Sequence, residues 1–185
     1  MNGFKWEIIS RLIPKKYRDI ISHLNPFRNN NEWVQVGNYI AVNPKEVPSR
    51  LEKMIAEYNA NIKGDIVERI AKLHLDFEHI HPFIDGNGRI GRVLNNYLLI
   101  REGFVPINIK FIDRKKYYEA FKEFDENGKT KIMEQIVGRA LLNSYHKRLA
   151  YLEHKKIITL KEFAKLHKVS HSGALNKANR QTIEA

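Results

Sequence analysis

The sequence predicts an all-α protein that carries one small β-hairpin. Apolar residues recur at helical spacing in several runs between residues 51 and 152, whereas the alternation typical of a strand is confined to residues 33–42. Two short amphipathic segments form a separate pair at the C-terminal end. Hydrophobic residues make up 43% and charged residues 29% of the 185 positions, so the chain can bury a hydrophobic core.

The hairpin is predicted from the segment WVQVGNYIAV, residues 33–42, which is rich in β-branched and aromatic side chains. Gly37 and Asn38 lie at its centre, and both tolerate the positive φ values that a tight turn requires. Upstream, residues 1–21 indicate one or two short helices broken at Pro14, and residues 25–32 form a polar loop.

Each main helix is predicted from its own set of apolar positions. The first set is Leu51, Met54, Ile55 and Tyr58, and the second, which begins near Gly64 and Asp65, is Ile66, Ile70, Leu73 and Phe77. The third helix covers residues 89–101, and Gly103 is well placed to cap its C-terminus. Residues 114–124 and 132–152 form two further helical runs.

The C-terminal tail predicts two short helices, residues 159–167 and 171–182, joined by a turn at residues 168–170. This outline matches a helix-turn-helix, and a helical hairpin packed on the main domain is the alternative. We therefore expect a main domain at residues 1–155 and a helical tail at residues 156–185, and a truncated helix-turn-helix is one interpretation of this tail.

Composition narrows the class of protein. The chain has no cysteine, which excludes a disulfide framework and thiolate chemistry. Its N-terminus lacks the unbroken apolar run of a signal peptide or membrane span, so we expect a cytoplasmic protein with no membrane partner. The net charge of +11 fits either a polyanionic partner or an ordinary basic surface.

The segment HPFIDGNGRIGR, residues 81–92, carries the chemistry. Gly86, Asn87 and Gly88 precede a helix, so their backbone N–H groups can point into one concavity at the positive end of the helix dipole. Arg89 and Arg92 stand one helical turn apart and can each form paired hydrogen bonds to phosphate oxygens. This arrangement predicts a site for a diphosphate or triphosphate.

Two further side chains complete the predicted site. Asp85 is either a ligand of Mg²⁺ beside the phosphates or an N-terminal helix cap, and its neighbours favour the metal role. His81 can accept a proton from an attacking hydroxyl, and its closeness to the phosphate site distinguishes it from His23, His74 and His79, which we expect to be structural. Phe83 is expected to anchor the loop in the core.

The same twelve residues resemble the signature of Fic-domain proteins, H-x-F-x-[D/E]-G-N-G-R-x-x-R, and all eight fixed positions are met. The resemblance implies an all-helical Fic core with a hairpin flap, and transfer of AMP from ATP to a Ser, Thr or Tyr hydroxyl of a target protein. It implies that His81 is the base and Asp85 the Mg²⁺ ligand. Gly86, Asn87 and Gly88 would form the anion hole, and Arg89 and Arg92 would hold the β- and γ-phosphates.

The resemblance also implies a flap and a nucleotide pocket. The flap, formed by Val34, Gln35, Val36 and Gly37, would align the target by strand addition. Tyr117, Tyr118 and Asp125 fall where family members line the pocket, and helix packing is the alternative for the two tyrosines. Gly88 favours AMP transfer over phosphorylation, because the Doc-like branch has a lysine at the matching position.

Regulation and alternative functions stay open at the level of sequence. The family's inhibitory motif, [S/T]-x-x-x-E-[G/N], has no clean match, since Thr130 and Glu134 are followed by Gln135. A separate inhibitory protein or a homo-oligomer could restrain the enzyme instead. The alternatives are a DNA-binding regulator that acts through its tail, or a Fic-type enzyme that uses another phosphate donor or removes AMP.

Overall fold

A computed structural model describes residues 27–29, 31–36, 39–109 and 114–180. The predicted helices within residues 1–21, together with His23, Gly37 and Asn38, lie outside the described residues. The chain divides into two compact units, and the second begins at Tyr145.

The predicted hairpin is present. Strand β1 (Gln35–Val36) pairs antiparallel with β2 (Tyr39–Ile40), so that Gln35 lies opposite Ile40 and Val36 opposite Tyr39. A further hydrogen bond from the Ala41 amide to the Val34 carbonyl, 2.9 Å, extends the pairing beyond the strands. The flap is therefore a short two-stranded ribbon with its Val34–Val36 edge formed by β1.

The first two main helices follow the predicted apolar positions. A 3₁₀ turn (Pro44–Glu46), capped by the Asn43 side chain, leads into α1 (Val47–Ala60), and the four apolar residues predicted for α1 are all buried. Helix α2 (Ile66–Ile80) begins at the predicted point, because the Asp65 side chain accepts hydrogen bonds from two amides of its first turn. Helix α2 packs against α1 and α3 and forms the centre of the first unit.

Helix α3 (Asn87–Arg101) begins two residues before the predicted start. Gly91 in α3 lies so close to α2 that a Cβ atom there would stand 2.8 Å from Glu78 Oε1 and 3.2 Å from the Phe77 ring. The helix ends at Arg101, and Gly103 follows the C-cap residue Glu102 as expected, with a φ of +85° that glycine adopts easily. Val93 faces solvent, whereas Ile90, Leu94 and Leu98 are buried.

A buried ion pair locks α2 to the end of α3. The Arg69 guanidinium donates to both oxygens of Glu102 at 2.8 Å, and its side chain is 2% exposed. Tyr58 of α1 donates to Glu102 at 2.9 Å, and the central carbon of the Arg69 guanidinium lies 4.3 Å from the centroid of the Tyr58 ring. The cluster ties α1 and the start of α2 to the end of α3, at the opposite end of the helix pair from residues 81–86.

Two more helices correspond to the runs predicted at residues 114–124 and 132–152. They are α4 (Arg114–Asn127) and α5 (Lys131–Leu152), which buries Met133, Val137, Ala140 and Leu141. Thr130 and Glu134, the pair that partly matches the inhibitory motif, interact at the start of α5: the Thr130 hydroxyl donates to Glu134 Oε1 at 2.7 Å. Lys131 Nζ also contacts Glu134 Oε2 at 3.0 Å, so the Glu134 carboxylate is paired with residues of its own helix start.

The second unit contains α6 (Leu160–Leu166) and α7 (His171–Asn179), which pack on each other. Thr159 and Glu162 form a capping box at the start of α6, and Ser170 caps α7. The predicted pair of short helices and the turn between them are therefore present. The limits 1–155 and 156–185 stay a prediction, since the second unit begins within α5. Within the described ranges, no helix is both long and apolar enough for a membrane span.

Candidate active site

The segment between α2 and α3 is held in a defined conformation. His81 ends α2 in the left-handed region (φ 48°, ψ 62°), and its amide still donates to the Phe77 carbonyl at 3.0 Å. Few residues other than glycine adopt this conformation, because the Cβ atom then approaches the backbone. The chain therefore leaves the line of α2 at His81, while the imidazole stays beside Glu78 of the last helical turn.

The hydrogen bond of His81 decides which ring nitrogen can act as a base. Nδ1 lies 3.2 Å from the Glu78 backbone carbonyl, and a carbonyl can only accept, so Nδ1 carries the hydrogen. Burial lowers the pKa of His81 below its ordinary value, the bond to Glu78 raises it, and the Arg28 charge lowers it again. The ring is therefore neutral near pH 7, with Nε2 unprotonated and able to accept a proton.

Asn87 braces the loop from inside. Its side chain is 2% exposed and forms two hydrogen bonds with Phe83: it accepts from the Phe83 amide at 2.9 Å and donates to the Phe83 carbonyl at 2.7 Å. The Phe83 ring is buried as predicted and lies 5.9 Å from the Phe27 ring. Because the Asn87 side chain is committed to Phe83, its contribution to an anion site would come from the backbone N–H.

The start of α3 has the features of an anion site. Gly86 is the N-cap at φ +86° and has no side chain to cap the helix, and the first helical bond runs from the Ile90 amide to Gly86. The N–H groups of the first turn thus face outward. Arg89 and Asp85 form an exposed ion pair at 3.1 Å, with side chains 70% and 85% exposed. The Asp85 side chain thus pairs with Arg89 and does not cap α3, whose N-cap residue is Gly86.

Arg92 and the buried Glu78 lie beneath Gly88. A Cβ atom at Gly88 would stand 3.4 Å from Arg92 Nη1 and 3.8 Å from Glu78 Oε1, so both charged groups approach the same point under the helix start. Glu78 is buried, and its Oε1 finds no hydrogen-bond partner among the residues that the structure describes. Burial raises the pKa of Glu78 to about 7, and the Arg92 charge opposes the shift.

Tyr117 of α4 joins this cluster through a buried polar chain. Asn95 Nδ2 donates to His74 Nδ1 at 3.0 Å, so the hydrogen of His74 is on Nε2 and is donated to the Tyr117 hydroxyl at 2.8 Å. Burial lowers the pKa of His74 to about 4, which keeps the ring neutral within this chain of hydrogen bonds. Tyr118 is exposed, and its ring lies 6.2 Å from that of Tyr117.

The flap contacts the loop through Tyr39. The Tyr39 hydroxyl donates at 2.7 Å to the Glu78 carbonyl, which also accepts from His81. The Tyr39 ring stacks on His79 with 5.1 Å between centroids, and His79 Nδ1 lies 3.0 Å from Asp125 Oδ1. The structure thus brings Asp125 to the flap side of α2, next to a histidine expected to be structural.

The predicted residues from His81 to Arg92 meet in one region, with Tyr117 alongside. Val34, Gln35 and Val36 form the hairpin edge, and Gly37 lies outside the described residues. Sequence reasoning missed Arg28, Tyr39 and Glu78. Arg28 stands in a polar segment without periodicity, while Tyr39 and Glu78 sit at ordinary strand and helix positions, so only the tertiary structure shows their contacts.

Comparison with known proteins places these features in context. The family model described as the Fic/DOC family matches residues 7–99. The protein adenylyltransferase Fic of Drosophila willistoni is 34% identical over 131 residues, which cover 66% of this chain and 26% of that protein. The Drosophila melanogaster protein of the same name is 33% identical over 129 residues. The chain thus spans about a quarter of the length of these curated relatives.

Solved structures share the fold. A Fic-domain-containing signaling protein from Bacteroides thetaiotaomicron superimposes with a TM-score of 0.68 at 24% identity, covering 84% of this chain and 66% of that one. A Fic family protein from Desulfovibrio desulfuricans has a TM-score of 0.61 at 19% identity, covering 96% of this chain and 61% of that one. At these identities the likeness shows the fold alone, and that fold is the all-helical one with a small hairpin.

Proposed function

Because this chain belongs to the Fic/DOC family, we propose that it is a protein adenylyltransferase, which transfers AMP from ATP to a Ser, Thr or Tyr hydroxyl of a target protein. One observation carries the proposal: His81, neutral and hydrogen-bonded through Nδ1, lies next to a helix start whose N–H groups have no side-chain cap. A base and an anion site in one loop support attack by a hydroxyl on a phosphorus atom.

The proposed reaction assigns His81 the role of general base. His81 Nε2 takes the proton of the target hydroxyl while its oxygen attacks the α-phosphorus of ATP. The new oxygen–phosphorus bond forms as the bond from the α-phosphorus to the oxygen bridging to the β-phosphorus breaks, and pyrophosphate leaves. The hydrogen bond from Nδ1 to the Glu78 carbonyl fixes the ring and stabilises the imidazolium that forms.

The phosphates would be held by backbone and arginine groups together. The N–H groups of Gly86, Asn87 and Gly88 form the anion hole, and the exposed Arg89 and Arg92 side chains hold the β- and γ-phosphates. Gly88 adds no side chain to this region, and a Cβ atom there would meet Arg92 Nη1 at 3.4 Å, an ordinary van der Waals distance. A glycine in place of the lysine of the Doc-like branch supports AMP transfer rather than phosphorylation.

Asp85 would hold Mg²⁺. Its carboxylate is 85% exposed beside the proposed phosphate site, and Mg²⁺ is commonly bound by one or two carboxylates together with phosphate oxygens and water, so the residues fit the ion. When bound, Mg²⁺ neutralises phosphate charge. Arg89, which contacts Asp85 at 3.1 Å, would thereby lie beside the bound ion and the phosphates.

The nucleotide and the target would be recognised by neighbouring elements. Tyr117 and Tyr118 of α4 would line the nucleotide pocket, and Asp125, now 3.0 Å from His79, would lie at its flap side. The β1 edge, with Val34, Gln35, Val36 and Gly37, would align the target segment by strand addition.

Regulation and location complete the proposal. We propose a cytoplasmic enzyme that a separate inhibitory protein or a homo-oligomer restrains. A second function, DNA binding by the tail, is favoured by the capped helix pair and by the excess of nine Lys and Arg over three Glu in residues 145–185. Removal of residues 159–185 should abolish DNA binding and preserve nucleotidyl transfer; DNA binding that survives this removal would exclude the tail.

The test of AMP transfer compares two labels. The protein is incubated with Mg²⁺, a cell extract and ATP labelled on either the α- or the γ-phosphate. We expect the α-label alone to reach protein. Transfer of the γ-label alone would identify a kinase and overturn the proposal.

A further inference from the structure

We propose that Arg28 is a positioning residue that joins the two flanks of the flap to the catalytic loop and sets the geometry of His81. This inference rests on the proposed function, because it assigns Arg28 a task in the same reaction. Arg28 would touch neither ATP nor the target.

Arg28 is a buried cation whose side chain donates to backbone carbonyls. It is 2% exposed, and Nε donates to the His81 carbonyl at 2.8 Å while Nη2 donates to the Ile80 carbonyl at 3.2 Å. On the other side, Nη1 donates to the Glu32 carbonyl at 3.2 Å and Nη2 to the Val42 carbonyl. The Arg28 amide adds a bond to the Pro82 carbonyl at 3.0 Å.

These five contacts connect two distant segments of the chain. Glu32 precedes β1 and Val42 follows β2, so the guanidinium holds both ends of the flap. The remaining three carbonyls belong to residues 80–82, where α2 ends and the catalytic loop begins. A shift of the flap relative to the loop would have to break part of this set.

Only arginine can make these contacts. Its planar guanidinium presents five N–H donors in a fixed fork, whereas the lysine ammonium is a single point with three donors. The positive charge also suits the place, because the carbonyls at the end of a helix carry partial negative charge. Burial lowers the pKa of Arg28, opposed by Glu32 and Tyr39, yet arginine stays protonated in proteins.

His81 needs such a contact because of its backbone. Its φ of 48° is uncommon outside glycine, although asparagine, aspartate and histidine adopt it more often than other residues, and the bond from Arg28 Nε holds the carbonyl of this same residue. The backbone orientation determines where the imidazole points and whether Nδ1 meets the Glu78 carbonyl at 3.2 Å. Loss of Arg28 would therefore let the base leave its productive position.

The test uses two variants, Arg28→Ala and Arg28→Lys, and guanidinium ion is added to Arg28→Ala to replace the lost side chain. The control is Arg50→Ala, because Arg50 is an exposed arginine of α1 that pairs with Glu46. The first readout needs no activity: ¹⁵N spectra of the imidazole rings report the tautomer of His81, identified by its absence in His81→Asn. We expect the Nδ1–H form in the wild type and the control, and a mixture of tautomers in both Arg28 variants.

The second readout is steady-state AMP transfer. A misplaced base should lower kcat by about a hundredfold and leave the KM for ATP within about twofold, because the phosphate site is intact. Millimolar guanidinium should restore much of kcat in Arg28→Ala and none in the control. Should Arg28→Ala fail to fold, Arg28→Lys provides both readouts.

Two results would overturn the assignment: a folded Arg28 variant with the wild-type His81 tautomer, or one whose kcat equals that of the control. A wild-type protein that transfers no AMP would refute the proposed function instead, and the spectra would still decide whether Arg28 positions His81.

Discussion

Replacement of Glu78 by glutamine should change how the stability of this protein depends on pH. Glu78 lies under the start of α3 with one oxygen unpaired within the described part of the chain, and burial raises its pKa to about 7 from 4.5. A raised carboxyl pKa means that the folded state binds the proton more tightly than the unfolded state. Its stabilising contribution is therefore complete below pH 4.5 and is lost as the pH rises through 7.

The size of the effect follows from the shift. At about 1.4 kcal/mol per pKa unit, a difference of roughly 2.5 units corresponds to about 3 to 4 kcal/mol, most of which falls between about pH 5 and pH 8. Glutamine has the same shape and cannot ionise, so Glu78→Gln should lose far less stability over this range.

The assay is urea unfolding of both proteins between pH 5 and pH 8, with Glu68→Gln, an exposed glutamate of the same helix, as the control. We expect the free-energy difference between Glu78→Gln and the wild type to move in favour of the variant by about 2 to 3 kcal/mol as pH rises. The control should show the wild-type slope. A difference that stays constant over the whole range would refute the argument that Glu78 is a buried acid with a raised pKa.

Three further predictions concern the loop and the flap. Asn87→Ala should lower the free energy of unfolding in urea by about 2 kcal/mol and reduce AMP transfer, because the Phe83 amide and carbonyl lose their partner. A free energy of unfolding within about 0.5 kcal/mol of the wild type would show that Asn87 does not hold the loop. Tyr39→Phe removes the bond to the Glu78 carbonyl and keeps the ring on His79, so transfer should fall while stability changes by about 1 kcal/mol or less; an unchanged transfer rate would show that this bond does not support the base. The acid limb of the transfer rate should have its midpoint below 6.5, because burial lowers the pKa of His81; a wild-type midpoint above 6.5 would contradict the geometry.

The sequence predicted those features that depend on local patterns. Apolar spacing predicted α1 and α2, the Gly–Asn pair indicated the hairpin, and the start of α2 was expected near Gly64 and Asp65, where the structure shows Asp65 as the cap. The motif at residues 81–92 carried the candidate site because it is contiguous, so its members had to lie close together.

Contacts between distant segments could not be predicted in the same way. Arg28 is buried although arginine is usually exposed, and its partners are carbonyls, which every residue has. The sequence does not show whether the Glu78 side chain faces solvent or the core. Its burial depends on the close approach of α3 at Gly91. His79 was expected to be structural, and its stacking on Tyr39 depends on the hairpin folding over α2.

The central claim is that His81 acts as the base while other residues hold ATP. The most direct measurement compares ATP binding by calorimetry with transfer of the α-label in the wild type and in His81→Asn, a substitution that tolerates the left-handed backbone at this position. We predict that His81→Asn binds ATP with an affinity within a few-fold of the wild type and transfers no detectable label. A variant that binds ATP and still transfers AMP at the wild-type rate would contradict the account.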